Sequence, residues 1–147
     1  MRILSILVAF MLSGVILPMP LMAQSSQDWI RVTDATELRN LLSGKVLYSP
    51  DFALYYRSDG AMGFWNKNFN SVTVRKWVVD GDGKVCTYIY VTPDKLVSCT
   101  MFARSTSDPS LVRITIVDRG YSMQSRLSSE PPKTLIDAVN NTAGPAR

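Results

Sequence analysis

A period-two pattern confines most of this chain to short antiparallel strands. Apolar residues alternate with polar ones through 53–57, 61–66, 72–79, 84–91, 96–103, 111–117 and 121–127. Turn chemistry separates the runs: Ser58-Asp59-Gly60, Asn66 to Asn70, Asp80-Gly81-Asp82-Gly83, Thr92-Pro93-Asp94, Ser105 to Ser110 and Asp118-Arg119-Gly120. Strands of this length, with turns every ~8–12 residues, predict an antiparallel meander folded as a sandwich or a small lipocalin-like barrel. The last hairpin can be placed in register. Val112, Ile114 and Ile116 share a face with Tyr121, Met123 and Leu127 only if Ile116 pairs with Tyr121, which leaves Gly120 free to take a positive φ.

Before residue 53 the period is helical. Thr33 or Asp34 can cap a helix running to Leu42, with Glu37 placed to complete a capping box, and Gly44 ends it. Leu38, Leu41 and Leu42 fall on one face, so this helix is expected to lie on an apolar surface. Tyr48 to Asp51 reads as a turn around Pro50. The expected class is therefore α+β, mainly β: an N-terminal helix on a meander of six to seven strands.

The chain has 147 residues, which suits one domain. Arg2, the apolar run Ile3 to Leu17, and Leu21-Met22-Ala23 before Gln24 have the order of a cleaved secretory signal, residues 1–23. The alternative is an uncleaved anchor, although 15 apolar residues fall short of the ~20 a bilayer requires. Residues 24–32 read as a leader, 33–130 as a single β-rich domain, and 131–147 as a tail with a short helix near Thr134 to Asn140. The expected location is the periplasm or the medium, with no stable membrane insertion after cleavage.

Composition removes much chemistry. The chain has no histidine and two cysteines, so Ser-His-Asp and Cys-His triads, histidine-ligated metals and thiolate cages are excluded. Its 16 basic residues outnumber 12 acidic ones, but they are scattered singly, and Arg75-Lys76 is the one adjacent pair. That distribution indicates a soluble surface and no nucleic-acid partner. Asp80-Gly81-Asp82-Gly83 superficially suggests calcium, but Lys84 and Val91 stand where an EF-hand needs its fifth- and twelfth-position ligands. No metal or cofactor is expected. Carboxylate-dependent hydrolysis is the one common mechanism left, and both glutamates of the mature chain, Glu37 and Glu130, have structural explanations.

If the loop between their strands centres on Thr92-Pro93, Cys86 faces Cys99 and Ile89 faces Leu96. Cysteines opposite one another on adjacent strands can bond, and an exported protein meets an oxidising compartment in which the bond persists. A redox couple would favour close spacing at a helix start, which this pair lacks.

Gly44, Tyr55-Tyr56 with Asp59-Gly60, Gly63, Trp65, Trp77-Val78-Val79, Gly83-Lys84-Val85-Cys86, Tyr88 and Cys99 follow one another in an order that resembles a family of small exported proteobacterial proteins of unknown function. The resemblance spans about residues 34–104 and departs at Arg75-Lys76, where that family usually has a glycine before the second tryptophan. A weaker likeness is to the VirK proteins. These resemblances imply export, a β-rich fold and the disulfide, and they carry no activity.

Ten of the 14 aromatic residues lie between Tyr48 and Tyr90. Tyr55 and Tyr56 are adjacent, as are Phe64 and Trp65, so one member of each pair faces inward and the other faces out. The arrangement fits a filled core, an aromatic-lined interior or an exposed aromatic patch. The leading expectation is a small exported binding or accessory protein without enzymatic activity. Tyr56, Trp65, Trp77 and Tyr88 would line a site for a small amphipathic ligand, and Arg75 would orient its polar group. In the alternative, the same aromatics meet another exported protein at the surface.

Overall fold

The computed structural model describes residues 28–145; the segment 1–23, read from the sequence as a secretory signal, lies outside the described residues. In chain order the elements are β1 (Trp29–Val32), α1 (Ala35–Leu42), β2 (Lys45–Tyr48), β3 (Phe52–Tyr56), β4 (Ala61–Asn66), β5 (Ser71–Val79), β6 (Val85–Ile89), β7 (Leu96–Ser105), β8 (Leu111–Ile116), a 3-10 turn (Val117–Arg119), β9 (Tyr121–Ser128) and α2 (Lys133–Ala143). The seven strands legible from alternation are present, and Tyr48, read as the start of a turn, ends β2. Two more join them, for nine strands in place of the six or seven expected.

Strands β2 to β9 pair in sequence order, and β9 returns to β2, so eight strands close an up-and-down antiparallel barrel. This realises the barrel option and not the sandwich. The closing seam is short: Val46, Leu47 and Tyr48 pair with Ser128, Leu127 and Arg126. β1 lies on the same edge of β7 as β6, pairing Trp29–Val32 with residues 102–105. Part of the stretch read as a leader is therefore a strand of the sheet. β2 escaped the alternation because it has only four residues and is apolar on both faces, with Val46 and Leu47 fully buried.

Helix α1 closes one end of the barrel. Asp34 caps it by accepting from the Glu37 N–H at 2.7 Å, and Gly44, at φ +72°, releases the chain into β2. Leu38 and Leu42 have no exposure and pack with Val32, Trp77, Val85, Phe102 and Val112 in the main core. Gly83 makes this closure possible. It has φ +70°, and a Cβ there would stand 2.4 Å from the Thr33 carbonyl oxygen.

The segment read as a tail holds the 11-residue helix α2. Leu135 and Val139 bury against the outer wall, where Gly63 leaves them room: a Cβ at Gly63 would lie 2.9 Å from both side chains. The buried Arg57 then ties down the helix end. It pairs with Asp59 at 2.6 Å and donates to the Asn140 Oδ1 and Gly144 carbonyl oxygens at 2.9 and 2.6 Å. The folded unit thus runs from Trp29 to the end of α2, wider than 33–130.

Ile116 pairs with Tyr121, and Gly120 has φ +59°, as the hairpin pattern requires. Cys86 and Cys99 face each other and are disulfide-bonded. Their hairpin differs in one respect: Tyr88, not Ile89, pairs with Leu96. A bulge between Thr87 and Tyr88 shifts the register by one residue beyond the disulfide. The Asp80–Lys84 loop is organised by Asp80, whose Oδ1 accepts from the Asp82 and Lys84 N–H groups at 3.0 and 2.7 Å.

Candidate ligand-binding cavity

Alternation sends every second residue of each strand into the barrel, but α1 fills only one half. The other half is a cavity of about 330 Å³ that opens between the hairpin loops. Its floor is Tyr56, which is 2% exposed and packs edge-on against Trp77 and Phe102 with centroid distances of 5.4 and 6.4 Å. The walls are apolar: Phe52, Leu54, Met62, Phe64, Ile114 and Met123. Phe52 and Phe64 stack at 5.9 Å.

Polar groups are few, hydroxyls and guanidiniums. Thr87, Ser98 and Thr100 bring hydroxyls to one side, Arg75 projects from β5, and Arg119 comes from the 3-10 turn at the mouth. No carboxylate among the described residues lines the cavity. Half-buried Arg75 has no hydrogen-bond or ion-pair partner among the described residues; its guanidinium carbon lies 5.0 Å from the Phe64 ring centroid. Burial lowers its pKa, since a charge there is poorly solvated, and the only opposing influence is the Tyr56 phenol. Burial likewise raises the Tyr56 pKa, so this phenol stays protonated.

A second cleft of about 390 Å³ shares Phe52, Tyr121 and Met123 with the cavity. It lies where β2 turns away at Ser49-Pro50: strand pairing to β9 stops at Arg126, and beyond it the Ser49 hydroxyl bonds the Ser125 hydroxyl at 2.6 Å.

The five residues singled out from the sequence separate. Tyr56 and Arg75 line the cavity. Trp77 lies beneath it in the packed half, 5% exposed, with Nε1 donating to the Arg57 carbonyl at 2.9 Å. Trp65 faces outward and packs with Leu135 under α2; its buried Nε1 has no partner among the described residues. Tyr88 follows Cys86 on the outer face of β6. One hairpin register accounts for Trp65: Tyr56 pairs with Met62 and Leu54 with Phe64, so Phe64 points inward. Phe52, Phe64, Ser98 and Arg119 were missed, although alternation from Tyr56 points to Phe52. The two glutamates lie elsewhere: Glu37 pairs with Arg104 at 2.6 Å, and Glu130 precedes α2.

Comparison with family models, with curated proteins and with solved structures finds no match to this chain.

Proposed function

We propose that this chain is a non-enzymatic binding protein that holds a small amphipathic anion inside its barrel. One observation carries the reading: Arg75 places an unpaired cation in an apolar cavity with no carboxylate among its lining residues. A buried charge without a partner is costly, and an anionic ligand head supplies the missing partner with charge-assisted hydrogen bonds. The hydroxyls of Thr87, Ser98 and Thr100 add donors, while Phe52, Phe64 and Met62 receive the apolar part. At about 30 Å³ for a water-sized group, the cavity accommodates on the order of ten non-hydrogen atoms. A medium-chain carboxylate has that size and polarity.

Export belongs to the same proposal. The Cys86–Cys99 disulfide suits an oxidising compartment, as does the charged-then-apolar N-terminal segment. Among the described residues no helix is long and apolar enough to cross a membrane.

Calorimetric titration with decanoate, decylamine and decanol tests the reading. Decanoate is expected to bind, decanol to bind more weakly and decylamine not at all. Binding of none of the three, or of decylamine as well as decanoate, overturns it.

A further inference from the structure

We propose that the cavity takes an amphipathic dianion, with one carboxylate on Arg75 and a second on Arg119 at the mouth; the inference rests on the anion-binding reading above and narrows its ligand class. Its ground is a partition of the cavity wall by strand. Each lining residue contributed by β5, β6 and β7 is polar: Arg75, Thr87, Ser98 and Thr100. Each one contributed by β3, β4, β8 and β9 is apolar or aromatic. The polar side is therefore one arc of three neighbouring strands, and the turn after β8 ends it with Arg119.

Along that arc the hydroxyls are flanked by a guanidinium at each end. Thr87 and Ser98 face each other across β6 and β7, with hydroxyl oxygens 3.3 Å apart. Arg75 leans away from them: its guanidinium lies over Phe64 on β4, on the opposite side of β5 from β6. Arg119 stands beyond β7 and is exposed. Among the described residues it makes no hydrogen bond or ion pair, not even with its neighbour Asp118. One carboxylate on Arg75 leaves this second cation unused. Three strand spacings, about 14 Å of wall, separate β5 from β8, and a chain of about eight to ten carbons reaches between the two side chains.

A second carboxylate on the ligand separates two physical cases. In an apolar cavity served by one cation, the added charge loses hydration without gaining a partner, and binding weakens. With Arg119 in reach it gains a charge-assisted hydrogen bond, while the methylene chain lies against Leu54, Phe64 and Ile114. Because Arg119 is exposed, solvent and salt screen this contact more than the one at half-buried Arg75.

The test is calorimetric titration of the full-length protein with octanoate, octanedioate, decanoate and decanedioate. At one length or both, the dicarboxylate is expected to bind about 3- to 10-fold tighter than its monocarboxylate, the gain a partly screened ion pair supports. Arg119→Gln is expected to erase that gain and leave the monocarboxylate Kd unchanged; added salt is expected to shrink it. Position 119 is exposed in a turn, so the variant is expected to fold, and its monocarboxylate binding checks that it has. Dicarboxylates that bind no tighter than monocarboxylates at both lengths overturn this proposal and leave the anion reading standing. An Arg119→Gln variant weakened alike for both ligand types does the same. Binding of none of the four overturns both.

Discussion

Replacing Arg75 by methionine is expected to weaken anion binding and at the same time to stabilise the fold. The side chain is half-buried, without an acceptor among the described residues, and held over Phe64 at 5.0 Å. A hydrogen bond to a charged group contributes about 1.5–3 kcal/mol, so losing one ligand contact raises Kd roughly 10- to 150-fold. In the empty protein the balance runs the other way. Methionine forfeits a cation–π contact of about 0.5–2 kcal/mol but removes a half-buried charge that no hydrogen bond or ion pair compensates among the described residues. A net gain of about 1 kcal/mol corresponds to a Tm higher by about 4 °C for a domain of this length. Calorimetric titration with decanoate measures the first effect and thermal circular dichroism without ligand the second. Arg75→Lys, which keeps the charge and loses the planar fork, should fall between wild type and Arg75→Met in affinity. An unchanged Kd, or a Tm that falls by that amount, would show that Arg75 serves the fold, and the reasoning would fail.

Three further outcomes follow from the frame. Converting Cys86 and Cys99 to serine opens a cross-link between residues 13 apart and is expected to cost roughly 3 kcal/mol in denaturant unfolding, with wild type in reductant reproducing the loss. Gly63→Ala drives a methyl to within 2.9 Å of Leu135 and Val139. A cost of about 1–3 kcal/mol is expected, with hydrogen exchange rising first in α2. The Arg57 guanidinium holds the Asp59 carboxyl below its ordinary value of 3.8, so their pairing stabilises the fold fully above that pH. The contribution disappears as pH falls through the lower folded value. Solvent screens the carboxyl, whose side chain is 37% exposed, while the guanidinium it pairs with is 3% exposed. Asp59→Asn leaves the buried Arg57 guanidinium without its carboxylate, so it should lower Tm at neutral pH and flatten its decline in acid, and an unchanged acid limb would reject the assignment.

What the chain discloses before folding depends on how local the deciding contact is. The β8–β9 register and the facing cysteines were readable because both partners sit within about 15 residues and a wrong slip would bury a charge or part the sulfurs. β1 and β2 were not, since four residues establish no period; β1 is held by β7, about 70 residues away, and β2, although it forms a short hairpin with β3, is apolar on both faces because its other edge closes on β9, about 80 residues away. The site divides in the same manner. Arg75 and Trp77 share a face on any strand reading, yet only packing decides that α1 reaches the level of Trp77 and stops below Arg75. Trp65 was lost to one hairpin pairing, Tyr56 with Met62, which no residue type announces. Arg119 lies in a turn, where alternation has no authority.

That boundary between Trp77 and Arg75 explains how one short chain can be both stable and hollow. Barrels of eight strands leave an interior that side chains can just fill, so a cavity requires the remaining interior to be packed well. Here α1 supplies Leu38 and Leu42 to one half, and with Phe102, Val85, Val112 and Trp77 they form a core with almost no exposure. Tyr56 is the partition: its ring belongs to that core, with Trp77 and Phe102 against it, while its surface also lines the cavity. Above it the strands β3, β4, β5 and β8 continue inward with Leu54, Phe64, Arg75 and Ile114, which have no helix to meet. The disulfide lies outside the barrel on the β6–β7 hairpin and restrains the strands that bear Thr87, Ser98 and Thr100. Stability is therefore gathered at the α1 end and in the cross-link. The other half is free to carry Arg75, a cation with no acceptor among the described residues, and to end in exposed apolar loop tips, features that a uniformly packed barrel of this size would have no room for.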